Sequence, residues 1–218
     1  MKTCDIVLIG VGGQGVVTLG DLIAQAALAA DVSVQFVPTK GMAQRGGFVK
    51  ADIRLGYETA GPRVPEQGAD ILLSMERSET LNGLAYLRPG SRVILYDHVW
   101  APTGVQLGEH AYPKRDEVLA VLNERCGEVL LLDPGERPEF NGTPVVANMY
   151  VLGALAGSER LRSLIDSRLL EQGVIERWPR AAESNLAAFQ AGFAQANGSS
   201  GRFLGTPVPP PTSKGSSH

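Results

Sequence analysis

Residues 4–15, CDIVLIGVGGQG, constrain this chain more than any other segment. Positions 4–9 form a short apolar run that ends in glycine. Residues 16–30 follow as an Ala/Leu-rich stretch with Leu19, Leu22, Ile23 and Ala26 at helical spacing. A run with hardly a polar position reads as a strand covered on both faces, the usual state of a parallel strand. Covering both faces takes helices, so this opening already commits the chain to an α/β architecture. Residues 33–37 supply a second strand, which Pro38 is expected to stop. Strand, glycine turn, helix and strand together make one βαβ unit.

The pattern continues along the chain. In residues 48–55, Val49, Ala51, Ile53 and Leu55 alternate with Lys50, Asp52 and Arg54. That predicts a strand with one wet or partner-facing side, suited to a sheet edge covered by a partner. Residues 71–75, 92–96 and 129–132 read as further buried strands. Helices are expected over 76–86, 114–126, 145–156, 161–170 and 179–195, with 97–113 irregular and holding a short hairpin. The expected fold is α/β: a Rossmann-like, mostly parallel sheet flanked by helices, with C-terminal helices and a flexible tail. One domain is expected over 1–197. Residues 198–218 are rich in Gly, Ser and Pro and read as the tail.

Composition removes several functions. A length of 218 residues can bury a core without disulfides or structural metals. The net charge of −3 argues against a general nucleic-acid binder. Only two cysteines occur, Cys4 and Cys126, so the chain lacks the thiolates for an iron–sulfur cluster of its own. Both read as small buried hydrophobes. The histidines His98, His110 and His218 have no metal-ligand spacing. No apolar run has the length of a membrane span, and no secretory leader is recognisable, so a cytoplasmic protein is expected.

Gly10, Gly12 and Gly15 satisfy GxGxxG directly between strand and helix, with Gly13 and Gln14 inside the turn. Glycines there permit a tight turn and close approach, and a helix N-terminus favours an anion. A dinucleotide site also wants a carboxylate near the end of the second strand, and none appears; Gln35 and Lys40 are weak substitutes. The residues therefore leave three uses open: a dinucleotide turn, a less specific anion site, or a turn that only packs structure or subunits. Gln14 needs partners for its amide, in the next loop or across an interface. The second constellation, Gly41-Met42-Ala43-Gln44-Arg45-Gly46-Gly47, follows the second strand and should reach the same sheet edge. Arg45, among small residues, suits a carboxylate or phosphate, or else satisfies loop carbonyls. Asp97, His98 and Trp100 follow the strand 92–96 at this edge and read first as a capped loop with a packed indole. Asn148 enters a helix as a cap. No catalytic acid, base or nucleophile is assigned, Glu66, Glu76 and Glu79 included.

Taken together, IVLIGVGGQGVVTLGDLIAQAA and KGMAQRGGFVKADIRLG resemble the gamma-type subunit or domain of the 2-oxoacid:ferredoxin oxidoreductases. The nearest likeness is to the small (beta) subunit of the indolepyruvate branch, where the second loop often reads GMAQRGG. Residues 148–154 and 185–192 match as well, so the resemblance spans roughly 2–193. It implies an accessory subunit, inactive alone, of an enzyme that converts a 2-oxoacid, of arylpyruvate type, and coenzyme A to acyl-CoA, carbon dioxide and reduced ferredoxin. Thiamine diphosphate, Mg2+ and [4Fe-4S] clusters are implied on a large partner subunit. A dimer of heterodimers follows from the same likeness, with coenzyme A at the shared interface. Cofactor-binding candidates are then Gly10, Gly12, Gly13, Gln14, Gly15, Gly41, Met42, Gln44, Arg45, Gly46, Gly47 and Asn148. The rival readings are a stand-alone NAD(P)- or flavin-binding Rossmann protein and a non-catalytic scaffold.

Overall fold

The computed structural model describes residues 2–40, 47–101, 103–109, 111–198 and 202–204. The strands are β1 (Cys4–Val11), β2 (Val34–Lys40), β3 (Phe48–Leu55), β4 (Ile71–Ser74), β5 (Arg92–Tyr96), β6 (Glu128–Leu132), β7 (Glu139–Phe140), β8 (Thr143–Pro144) and β9 (Arg202–Leu204). The α-helices are α1 (Val16–Ala29), α2 (Thr103–Gln106), α3 (Arg115–Arg125), α4 (Ala147–Ala156), α5 (Glu159–Arg162), α6 (Ser167–Arg177) and α7 (Ala182–Asn197). The main sheet runs β2-β3-β1-β4-β5-β6-β9, with β7 and β8 as a separate small ribbon.

Five strands of the main sheet point one way. Parallel pairing joins β1, β4, β5 and β6, and β2 shares their direction; β3 and β9 run against them. The expected βαβ unit is present, but β3 returns as a hairpin strand between its two arms. Val11 pairs with Phe48 and Val34 with Leu55. This places β3 in the interior of the sheet and corrects its assignment to an edge. Its polar side is not wet either. Asp52 and Lys50 are buried, and the Lys50 ammonium bonds Asp52 and the Tyr86 hydroxyl (2.7 Å). Arg54 pairs with buried Asp5 at 2.8 Å. Buried charges persist where a partner and further hydrogen bonds offset desolvation, and each charge here has such a partner.

Other boundaries shift for local reasons. β2 continues through Pro38 because it is an edge strand, whose outward side needs no N–H. The helix expected over 76–86 is a 3-10 helix over Glu79–Tyr86, with Gly83 pressed on Leu72 and Ile9. The region 97–113 holds the short helix α2 instead of a hairpin. The helix expected over 161–170 is broken: α5 ends at Arg162, and α6 starts after Asp166 accepts a bond from the Arg168 N–H. Residues 202–204, assigned to the tail, pair with β6; 205–218 lie outside the described residues.

Two cores flank the sheet. One joins α1, α4, α6 and α7 to a face of the sheet that runs from β3 through β1, β4 and β5 to β6; the other lies under α3 and the 3-10 helix. Their tightest joint is the crossing of α4 and α7. A Cβ on Gly153 would strike the Phe189 carbonyl oxygen, and one on Gly192 the Tyr150 carbonyl oxygen. The two backbones touch, which only glycine permits. Both cysteines are buried free thiols; burial pushes Cys4 well up and Cys126 to about 11, so neither is a ready nucleophile.

Candidate functional site

All five co-directional strands deliver their carboxyl ends to one edge. The chain leaves β1 toward β2 and returns to β4 on the other side, so the gap beyond β1 and β4 is a topological switch point. A cleft of about 680 Å3 opens there. Gly12, Gly13 and Gln14 after β1, and Met75 after β4, form its floor. Tyr96, His98 and Trp100 line one wall, and Pro134 and Arg137 continue it beyond β6. Val146, Ala147 and Asn148, at the start of α4, face them.

The glycine turn is closed mostly by the protein itself. A Cβ on Gly10 would meet Gln14 Oε1 at 2.7 Å and Met75 Cβ at 2.9 Å; one on Gly15 would meet Asn148 Nδ2 at 2.6 Å. Gly15 takes φ +84° and Gly13 φ +102°, both left-handed, and Gly13 has open space above it. Gly12 donates its N–H to the Gly47 carbonyl at 2.8 Å, so the second loop lands on the first. Gly41, Met42, Gln44, Arg45 and Gly46 lie outside the described residues.

Gln14 is a brace. Its Oε1 accepts the Val11 N–H at 2.9 Å, and its Nε2 donates to the Met75 carbonyl at 2.7 Å. Both partners are backbone groups of fixed polarity, so the amide has only one orientation. Its Nε2 also meets His98 Nδ1 at 3.4 Å. An amide N–H can only donate, so in this contact Nδ1 is the acceptor and Nε2 is the ring nitrogen left to carry a proton. Asn148 is the second residue of α4, not its cap; Val146 is the cap, and Asn148 accepts a bond from the Met149 N–H.

The aromatic wall continues the period of β5 past the strand end. The Tyr96 and His98 rings lie 6.2 Å apart and nearly parallel, and Trp100 follows at 6.4 Å from His98. Trp100 is 47% exposed, so the indole is presented at the rim and is not packed away as expected. Its backbone N–H is held by fully buried Glu76 at 3.0 Å. The same carboxylate accepts from the Ser78 hydroxyl, the Glu79 N–H and the Tyr112 hydroxyl. Burial, then this bond to Glu76, pushes Tyr112 up to about 12. Buried Asp97 pairs with Arg77 at 2.5 Å and with Arg115. The Asp97 bond in turn raises Arg77, whose own N–H reaches the His98 carbonyl. Every rung of the ladder is thus fixed from behind.

Arg137 is the one basic side chain lining the cleft among the described residues. It donates to the Tyr96 hydroxyl at 3.3 Å, and its Nε, shut from solvent, has no hydrogen-bond partner. Burial raises the Tyr96 hydroxyl, which keeps it protonated. No Asp or Glu lines the cleft among these residues. Of the sequence candidates, the edge thus assembles Gly12, Gly13, Gln14 and Asn148 at the cleft and Gly47 beside it. Gly10 and Gly15 are absorbed in internal contacts. Met75, Tyr96, Arg137 and Val146 were not anticipated. Alternation at 96, 98 and 100 was a readable signal; a lone Arg137 in a loop was not.

The pyruvate ferredoxin/flavodoxin oxidoreductase family model matches residues 5–195. The chain is 34% identical over 193 residues to an indolepyruvate oxidoreductase subunit IorB from Archaeoglobus fulgidus, covering 88% of this chain and 94% of that one. It is 35% identical to the subunit of that name from Methanothermobacter thermautotrophicus, covering 88% and 97%. Among solved structures, the pyruvate oxidoreductase subunit PORC from Thermotoga maritima aligns with a TM-score of 0.59 at 18% identity, over 88% of this chain and 96% of that one. The 2-oxoglutarate:ferredoxin oxidoreductase of Magnetococcus marinus aligns with 0.60 at 19%, over 90% of this chain and 31% of that one. At these identities the structures establish the fold.

Proposed function

The chain belongs to the pyruvate ferredoxin/flavodoxin oxidoreductase family, and from that premise we propose that it is the small subunit of an indolepyruvate-type 2-oxoacid:ferredoxin oxidoreductase. The observation that carries this is the near full-length match, on both sides, to relatives named as such subunits. The readings as a stand-alone nucleotide-binding protein or a bare scaffold are not favoured.

In this reading a large partner subunit holds thiamine diphosphate, Mg2+ and the [4Fe-4S] clusters. Thiamine diphosphate supplies the carbanion chemistry of 2-oxoacid decarboxylation. This chain supplies a rigid edge to the shared site. Among the described residues no group of His, Cys, Asp and Glu is placed to hold a metal. Ferredoxin takes the electrons through the complex, which is a dimer of heterodimers in the cytoplasm. No helix among the described residues is long and apolar enough to cross a membrane.

Coenzyme A lies at the shared interface. Gly12, Gly13, Gly47 and Asn148 contribute from the described residues, and Gly41, Met42, Gln44, Arg45 and Gly46 remain part of the proposed coenzyme A set. One feature of this rim suits an anion: Gly13 is exposed, with open space above it. Gln14 shapes this rim from beneath, since its amide is committed to Val11, Met75 and His98. Anaerobic purification of the tagged chain with its neighbours tests the assignment. The expected result is a large co-purifying subunit and dye reduction that needs both an arylpyruvate and coenzyme A. A lone chain carrying a bound nucleotide would overturn it.

A further inference from the structure

We infer that the cleft beyond β4 and β5 recognises the aryl group and carboxylate of the 2-oxoacid, so that part of the substrate preference resides on this small subunit. The inference rests on the functional reading above and deepens it by assigning a substrate class to this chain's own residues.

Three observations point to the ligand's chemistry. The first is the wall: His98 and Trp100 continue a ladder of ring faces, and Trp100 is half-exposed although its backbone is pinned by a buried carboxylate. Aromatic faces held open at fixed spacing select a flat apolar partner. The second is the polarity of the lining. A His98 Nδ1 that accepts from Gln14 Nε2 leaves the ring's Nε2–H to donate elsewhere. Arg137 can only donate, and its Nε has an unmet bond out of reach of water. That atom is closed to a ligand as it is to water, so an acceptor in the cleft meets the parts of the guanidinium that line it. The first turn of α4 adds the positive end of a helix dipole. The third is what is missing among the described residues: no carboxylate lines the cleft to accept ribose hydroxyls. A ring carrying one carboxylate satisfies this set, whereas a nucleoside leaves its hydroxyls unmatched.

The test uses the assembled complex with phenylpyruvate as probe and pyruvate as the ring-free control. Variants Trp100→Ala, Trp100→Phe, Arg137→Gln and Arg137→Lys are compared by kcat/KM for both acids and by KM for coenzyme A. The expected result is that Trp100→Ala lowers the preference for phenylpyruvate over pyruvate about tenfold, and that Trp100→Phe restores most of it. Arg137→Gln should raise KM for both acids, with partial recovery in Arg137→Lys, and KM for coenzyme A should move less than twofold. Unchanged preference in an assembled, arylpyruvate-active complex overturns the inference and leaves the functional reading standing. A raised KM for coenzyme A alone also overturns it, by making the cleft a nucleotide site. So does loss of assembly in both Trp100 variants, which makes the rim an interface. A wild-type complex that turns over no 2-oxoacid defeats the functional reading itself.

Discussion

Glycine does opposite work in two regions of this molecule. At the crossing of α4 and α7, Gly153 and Gly192 remove side chains so that two backbones can touch, and nothing else fits. At the turn after β1, the glycines surround a cleft, yet two of them also serve internal contacts: Gly10 accommodates Gln14 and Met75, and Gly15 accommodates Asn148. Gly13, by contrast, faces open space. The motif that looks like a ligand cradle is therefore chiefly a joint. The chemistry at its edge is carried by side chains from β5, the loop after β6, and α4. The lesson is that a glycine pattern reports close approach without naming what approaches.

Substitutions grade this contrast. The largest effect is expected from Gly192→Ala or Gly153→Ala. The new methyl meets a backbone carbonyl that cannot step aside, so the loss should reach about 3 kcal/mol or more, read as a lower denaturant midpoint or failure to fold. Gln14→Ala comes next, at about 2 kcal/mol. It strands the Val11 N–H and frees His98, so a shift in the His98 ring 15N resonances should accompany the lost stability. Gly13→Ala should cost only about 1 kcal/mol, because it strains a left-handed backbone without a clash. If Gly13→Ala proved as damaging as Gly192→Ala, the two regions would not differ as described.

The alkaline range tests the hidden support of the aromatic wall. Tyr112 has its hydroxyl pushed up to about 12 by burial and by Glu76. The folded state thus holds this proton more tightly than the unfolded chain, whose tyrosine titrates near 10. Its contribution to stability is complete below about pH 10 and is lost as pH rises toward 12. Tyr112→Phe should remove the most alkaline step from a 295 nm absorbance titration and flatten stability across that window.

Much of the fold is legible in the residues because apolar runs and helical spacing report directly on burial. The runs in β1, β4, β5 and β6 have buried interiors on both faces, and the sequence shows that without help. The polar side of β3 was misread for a physical reason. Alternation shows that Lys50, Asp52 and Arg54 share a face, but not that Asp5 and Tyr86 come from distant segments to meet them. Pro38 was misread because a strand stop and an edge strand look alike until the sheet order is known. The cleft was half legible. Gln14 stood out as an amide in need of partners, and the structure supplies three. Arg137 gave no signal, since its meaning comes from Tyr96 lying across the sheet edge.

The single bond from the Gly12 N–H to the Gly47 carbonyl has a consequence for mutagenesis. The two glycine-rich signatures of this chain are far apart in sequence, yet they are one mechanical part. A shift at Gly12 or at Gly47 reaches the other through that bond and the β1–β3 register beside it. A substitution at Gly12 or Gly47 is therefore a test of both signatures at once.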